Sequence, residues 1–472
     1  DLRQGVTLEV LTTVGPLTPE MKRRLTQRQT DIHYGIDWTT LGEYLQKLEE
    51  RGIGPNVASF VGAGIVQSNV LGEHNVQPTP AQLEQMRTLM RQAMEEGALG
   101  VATALARNPE QYETPELTAL AKESARCGGL YGVHLRSEGD HLLESVQETI
   151  DIARASGAPA EIYHLKVAGK DNWNKLEPLI RKIEAARSSG TRITADMYVY
   201  TASAGGLDAA MPPWVREGGT EAWIARLKDP AMRARVVAQM RAPTRDWESS
   251  YAAAGAAGTL LLGFKNPALD DLSGKTLAEV ARQRGVTPED AAIDLVIEDG
   301  SRVGVAYSLM SEENIRRELA LPWVSFGSDT DASAPEGIFL KSHPHPRAYG
   351  NFARALGKYV REEKVVSLEQ AVRKLTALPA ATLSLTDRGM LKAGDFADVV
   401  MFDPQTIQDH ATYERPQQLA TGVENVWING IQALRSGEAT GRPSGRAVRG
   451  RAWTGWRGGG CRASARDWTW AE

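Results

Sequence analysis

Short β-branched runs alternate with amphipathic helical stretches along most of the chain, and no other feature restricts the fold as strongly. The strand candidates are Val6–Leu11, Val57–Val61, Gly100–Leu105, Gly129–Leu135, Glu161–Val167, Ile193–Tyr200 and Trp323–Gly327. Between them, Pro80–Glu96, Leu142–Ala155 and Trp173–Ser188 space apolar residues three and four apart, the period of a helix with one buried face. Strands separated by helices form parallel sheets, because a parallel connection needs a crossover. Seven such units in one segment favour closure into a (β/α)8 barrel over an open sheet. One strand of eight is missing, and its place is expected before residue 1, since Asp1–Thr7 runs into a strand without a preceding unit.

Two regions interrupt the alternation. Residues 204–258 hold Gly205-Gly206, Pro212-Pro213-Trp214 and short helical pieces, the profile of an insertion or lid over a barrel mouth. Beyond Leu385 come short strands, Ala397–Phe402 and Val423–Ile428, with the turn pair Asn429-Gly430 after the second. The expected organisation is a barrel over 1–384, a small β-sandwich over 385–440 and a loose Gly/Arg/Trp-rich tail over 441–472.

Composition narrows the function classes. A chain of 472 residues with 42% hydrophobic and 24% charged residues can bury a large core. No run approaches the roughly 20 apolar residues of a membrane helix, and a formal charge of -5 gives no reason to expect nucleic acid as a partner. The expected partner is a small molecule; oligomeric state and compartment stay open. Cys127 and Cys461 are too far apart in sequence to be read as a disulfide framework.

Of the eight histidines, His33, His74 and His410 lie in polar stretches and read as surface residues, and His141 as a residue near a helix start. His134 and His164 differ, because each sits near the C-terminal end of a strand candidate, and their separation, 164 − 134 = 30, is one β/α unit. Neighbouring parallel strands would carry both imidazoles to the end where barrel active sites are built, a nucleus for Zn²⁺. Asp329, in Ser325-Phe-Gly-Ser-Asp329 at the end of the last strand, can bind an ion and take a proton from water.

This arrangement resembles the amidohydrolase superfamily, and its details are similar to the N-acyl-D-amino-acid deacylase, or D-aminoacylase, branch. The matching stretches are His134-Leu-Arg-Ser-Glu138, His164-Leu-Lys166, Asp196-Met-Tyr-Val-Tyr200-Thr-Ala-Ser203, Ala210-Met-Pro-Pro-Trp214, His343-Pro-His-Pro-Arg347 and the run from Asp387 to Pro404. The resemblance spans about residues 5 to 455 and implies a zinc-dependent hydrolase of N-acyl-D-amino acids. It makes His134, His164 and Asp329 metal ligands and Asp329 the general base. It places Lys166, Ser203, Met310 and Arg347 around the substrate, where a cation, a hydroxyl and a guanidinium suit a free carboxylate.

The bland alternatives are a surface charge for Lys166, a turn for Ser203, an ion pair for Arg347 and plain core for Met310. Tyr198 and Tyr200 flank Val199, so strand alternation sends one inward and one toward the helices. His343 and His345, set among prolines, read as loop-shaping.

The chain also departs from the pattern. No His precedes His33, so the His-x-His pair of a first barrel strand is absent from this sequence, and the loop after Leu11 is short. Glu9 is the nearest carboxylate there. Ala106-Arg107-Asn108-Pro109 stands where the family has an aromatic pair, with Tyr112 as a partial substitute. The alternatives to a linear-amide deacylase are a cyclic-amide hydrolase of the dihydroorotase or hydantoinase kind and a truncated, catalytically impaired relative.

Overall fold

The structure is a computed structural model, and it describes every residue except 30–31, 73–75, 108–111, 243–246, 332 and 462–472. The readings made for His74 and Asn108-Pro109 fall outside the described residues.

The first six parallel strands are β1 (Leu8–Val14), β2 (Asn56–Gly62), β3 (Gly100–Ala104), β4 (Leu130–His134), β5 (Ala160–Ile162) and β6 (Ile193–Met197). The chain then leaves the barrel for β7 (Ala202–Gly206), β8 (Thr259–Gly263) and β9 (Gly304–Ser308), and returns as β10 (Val324–Phe326). The barrel sheet has the order β1-β2-β3-β4-β5-β6-β10, and β1 and β10 do not pair with each other among the described residues. All seven sequence candidates overlap these strands, because β-branched runs buried on both faces of a parallel sheet stand out from amphipathic helices.

The helices obey their sequence signals. Pro80–Glu95 starts on a capping box between Thr79 and Gln82 with Pro80 in the first turn, and it buries Met86, Met90, Ala93 and Met94 on one face. Leu142–Ser156 and Leu176–Ser188 likewise bury one apolar face, though without a side-chain cap, the stretch before Leu176 being a 3-10 turn over Lys170–Lys175. Two buried groups flank the open side. The Lys374 ammonium donates to Val324 O on β10 at 2.7 Å, and Gln4 accepts from Phe352 N at 2.9 Å while donating to Ala348 O.

Three expectations need correction. The insertion is longer than 204–258: β7, β9 and β8 form an antiparallel sheet in that order, and the insertion has its own core including Trp223, Val236, Leu261, Val296 and Tyr307. Return to the barrel requires β9 to close that sheet, which extends the unit to Ser308.

The β unit consists of β11 (Val399–Phe402), β12 (Val423–Ile428), β13 (Ile431–Arg435) and β14 (Glu438–Ala439). Among the described residues these form one four-stranded antiparallel sheet, not a sandwich. Asn429 adopts a φ of 51° and Gly430 of 79°, the left-handed pair that a two-residue hairpin turn demands.

Over 441–461 the tail is not loose. Val57 N donates to Arg446 O and Val448 N to Val57 O, and Val448 and Ala452 are buried. A Cβ at Gly450 would lie 2.2 Å from Ala98 O, so only glycine admits this backbone approach. A disulfide joins Cys127 to Cys461 across 334 residues of sequence, a pairing that spacing alone could not reveal. No helix among the described residues is long and apolar enough to cross a membrane.

Candidate active site

β4 and β5 pair in parallel with Val133 opposite Ile162, so the residues at and just beyond their ends rise at the same mouth of the barrel. There His134 Nδ1 and His164 Nε2 face each other at 2.8 Å, with their rings tilted at 72°. Both sites sit under strain or burial. His164 has a φ of 40°, a left-handed conformation that costs a non-glycine residue free energy, and it is held there by its N–H donating to Asp196 Oδ1 at 2.7 Å. Burial lowers the His134 imidazole to about 3, so the ring is neutral and its lone pair available at ordinary pH.

On the far side of the His164 ring lie two charged groups. Glu138 Oε1 is 3.0 Å from His164 Nδ1, and Lys166 Nζ is 2.6 Å from both that carboxylate oxygen and His164 Nδ1. Burial opposes the Glu138 charge, but Lys166, helped by the hydrogen bond with His164, outweighs it and holds the carboxyl well below its usual range.

His134, Glu138 and His164 offer ligand-type atoms within 4.8 Å of one another. Glu138, however, touches the ring nitrogen that faces away from His134. An ion between the rings would therefore be bound through His134 Nδ1 and His164 Nε2, with Glu138 orienting His164 from behind in the manner of a carboxylate–histidine–metal triad. Two ligands at ~2.0–2.1 Å in tetrahedral geometry stand about 3.3 Å apart, so a separation of 2.8 Å needs only a small opening.

Asp329, expected as the third ligand, lies outside that group. Its Oδ2 is 2.8 Å from Arg347 Nη1. It remains close enough for its charge to bear on both histidines. Burial works against its ionisation, but Arg347 above all, with Lys166, holds the carboxyl below the usual aspartate range. Asp329 is also left-handed, with a φ of 48°.

Arg347 is buried and stacks 4.4 Å from the Tyr198 ring, and its Nε has no hydrogen-bond partner among the described residues. An orphaned buried guanidinium N–H is an unused donor, suited to an anionic acceptor.

A cavity of about 3620 Å³ contains this cluster, and Lys166, Ser203, Tyr198, Tyr112 and Glu9 also line it. Met310 does not belong to the lining; it packs in the core of the insertion, its N–H donating to Thr201 O at 3.0 Å. Tyr198 and Tyr200 do not alternate between faces, because β6 ends at Met197. Both rings pack on His345, at 6.2 and 5.5 Å. His345 and His343 bond to backbone carbonyls, Ala202 O and Tyr413 O, and so shape loops as expected.

Sequence reasoning quoted Glu138 as part of a motif but gave it no role. Its position four residues after His134 was the available signal. Asp196, next to the end of β6, likewise stood in a matching stretch without a role. Burial pushes Asp196 up to about 6.

Paired imidazoles and a carboxylate at the strand ends of an α/β barrel define a metal-dependent hydrolase. A family model described as Amidohydrolase family matches residues 33–433. The chain belongs to the amidohydrolase family. It is 31% identical over 407 residues to a D-aminoacylase from Alcaligenes xylosoxydans xylosoxydans, covering 86% of this chain and 72% of that protein. It is 28% identical over 443 residues to an N-acyl-D-aspartate deacylase from the same organism, covering 93% of this chain and 78% of that one. Among solved structures, an N-acyl-D-glutamate deacylase from Bordetella bronchiseptica, complexed with zinc and a phosphonate inhibitor, superposes with a TM-score of 0.75. There the identity is 27%, with 95% of this chain and 83% of that chain covered.

Proposed function

We propose that the chain hydrolyses the amide bond of N-acyl-D-amino acids, giving a carboxylic acid and a free D-amino acid, with zinc held by His134, His164 and Asp329. The observation that carries this reading is the facing pair of ring nitrogens, 2.8 Å apart, with the Asp329 carboxylate held ionised at the same barrel mouth. Two imidazoles and a carboxylate are a donor set suited to zinc, with a fourth position open. Zinc bound there supplies a Lewis acid that polarises the amide carbonyl and lowers the pKa of attacking water toward ~7.

The chain's own residues do the rest. Asp329 accepts the proton of the attacking water and delivers it to the leaving nitrogen. Arg347 offers its free Nε–H to the substrate carboxylate and with its Nη1 keeps Asp329 ionised. Ser203 contributes a hydroxyl from β7, at the edge of the insertion, and Lys166 adds positive charge while neutralising Glu138. Met310 acts from behind, as packing for the insertion rather than as a substrate contact.

A linear N-acyl amino acid fits this set better than a cyclic amide, because a free α-carboxylate is what an orphaned guanidinium binds. The relatives named above act on N-acyl-D-amino acids by name, which supports the same choice. The test is hydrolysis of N-acetyl-D-amino acids, their L-enantiomers and dihydrouracil by the zinc-loaded chain. Turnover of the D-substrates alone is expected; turnover of dihydrouracil alone, or of none with zinc bound, overturns the reading.

A further inference from the structure

Loop 135–141 joins β4 to the next helix and carries Glu138. It contains neither helix nor strand, so its shape depends on hydrogen bonds from its neighbours. The barrel provides several: Ala168 N donates to Glu138 O at 2.8 Å, Lys175 Nζ to Asp140 O at 2.8 Å, Asn172 Nδ2 to Asp140 Oδ1 at 2.9 Å, and Ser137 N donates to Ser145 Oγ at 2.9 Å.

A further contact crosses from the insertion. Glu248 Oε1 accepts from Ser137 Oγ at 2.5 Å and from His141 N at 3.2 Å, while Ser137 Oγ accepts from His141 N at 3.0 Å. A Cβ at Gly139 would lie 3.3 Å from Glu248 Oε2, so the carboxylate rests directly on the loop backbone. Glu248 is itself an exposed residue, yet its two acceptor contacts meet the loop on either side of Glu138, at Ser137 and at His141. Hydrogen bonds to a carboxylate acceptor are stronger than neutral ones, and here two donors of the loop converge on one oxygen.

We propose that Glu248 is a positioning residue: it clasps loop 135–141 to the insertion and thereby sets where Glu138 holds His164 and Lys166. The same insertion supplies Ser203 to the cavity. Seating of the insertion and orientation of the His164 ring are thus coupled through one side chain. The proposal rests on the zinc reading only in its last step, the effect on metal affinity.

The test uses the full chain, with Glu248→Ala and Glu248→Gln compared by amide hydrogen exchange and by zinc titration against a chelating dye. In Glu248→Ala, exchange over 135–141 is expected to quicken by about 10-fold and zinc to bind about 10-fold more weakly, the lower end of what loss of an outer-shell partner costs. Glu248→Gln keeps an acceptor oxygen for both donors and stays within about threefold of the parent on both readouts. Unchanged exchange in Glu248→Ala overturns the clasp. A loosened loop with unchanged zinc affinity overturns the positioning role. A parent that binds no zinc defeats the metal reading instead. Exchange over 160–166 then decides: faster in the Ala variant alone supports the proposal, and equal rates overturn it.

Discussion

Arg347 Nη1 stands 2.8 Å from Asp329 Oδ2, so the side chain expected to bind substrate also holds the side chain expected to move the proton. Arg347→Lys replaces a planar fork with a point charge. KM for N-acyl-D-amino acids should rise more than kcat falls. Arg347→Met should in addition move the acid limb of the kcat/KM profile to higher pH, because Arg347 is the leading attraction that keeps Asp329 ionised against burial. An acid limb that stays in place in Arg347→Met would show that the pair has no part in setting the base.

Asp329→Asn retains shape and removes the basic oxygen. Turnover should drop by roughly 10²–10⁴-fold, the usual contribution of general acid–base catalysis, while zinc content falls modestly. The measurement is kcat at matched metal content, and retention of more than about a tenth of the parental value removes Asp329 from the mechanism.

Zinc should stabilise the folded chain through His134 and His164. At a free concentration of 100 times Kd the expected gain is about 2.7 kcal/mol, read as a shift of the denaturant midpoint. His164→Ala should abolish that gain. A variant that is stabilised by zinc as fully as the parent would place the ion elsewhere.

Two buried groups make stability depend on pH with opposite signs. Burial lowers His345 well below the ordinary histidine value, so the native state resists a proton that the unfolded chain accepts. Stability is then lost as pH falls below about 6.5, at up to about 1.4 kcal/mol per pH unit, and His345→Gln should flatten that slope. Burial raises Glu318 to about 8, so the native state keeps a proton the unfolded chain has released. Stability from this group falls as pH rises from about 4.5 to about 8. Glu318→Gln should therefore gain on the parent across that window and no further above it. Urea unfolding at pH 5, 7 and 9 separates the two, and parallel curves for parent and variants would refute both assignments.

The Cys127–Cys461 disulfide fastens segment 441–461 under the barrel. Cys461→Ser, or reduction of the parent, should lower stability by about 2–4 kcal/mol, the typical worth of a disulfide, and should quicken proteolysis after 441. Two free thiols titrated in the folded chain under oxidising conditions would exclude the bond.

Much of this molecule was legible in its residue order because the signals are local. The seven barrel strands are β-branched runs set between amphipathic helices, and His134, His164 and Asp329 stand at or just beyond the ends of such runs. The hairpin at Asn429-Gly430 follows from two residues that tolerate left-handed backbone. What sequence could not order are relations between distant segments. The insertion reaches Ser308 because β9 pairs between β7 and β8, a register that no local pattern encodes. The stretch 441–461 looked polar and aperiodic, yet its glycines let it lie against the backbone of Pro55 and Ala98. Glu138 and Lys166 read as a motif residue and a substrate cation. Folding sets them on one nitrogen of His164, and the competition between burial and neighbouring charge then decides which groups ionise. Residue order determined which strands form and which side chains stand at their ends. Only the tertiary structure decided their partners, because charge and desolvation depend on distances that sequence spacing does not contain.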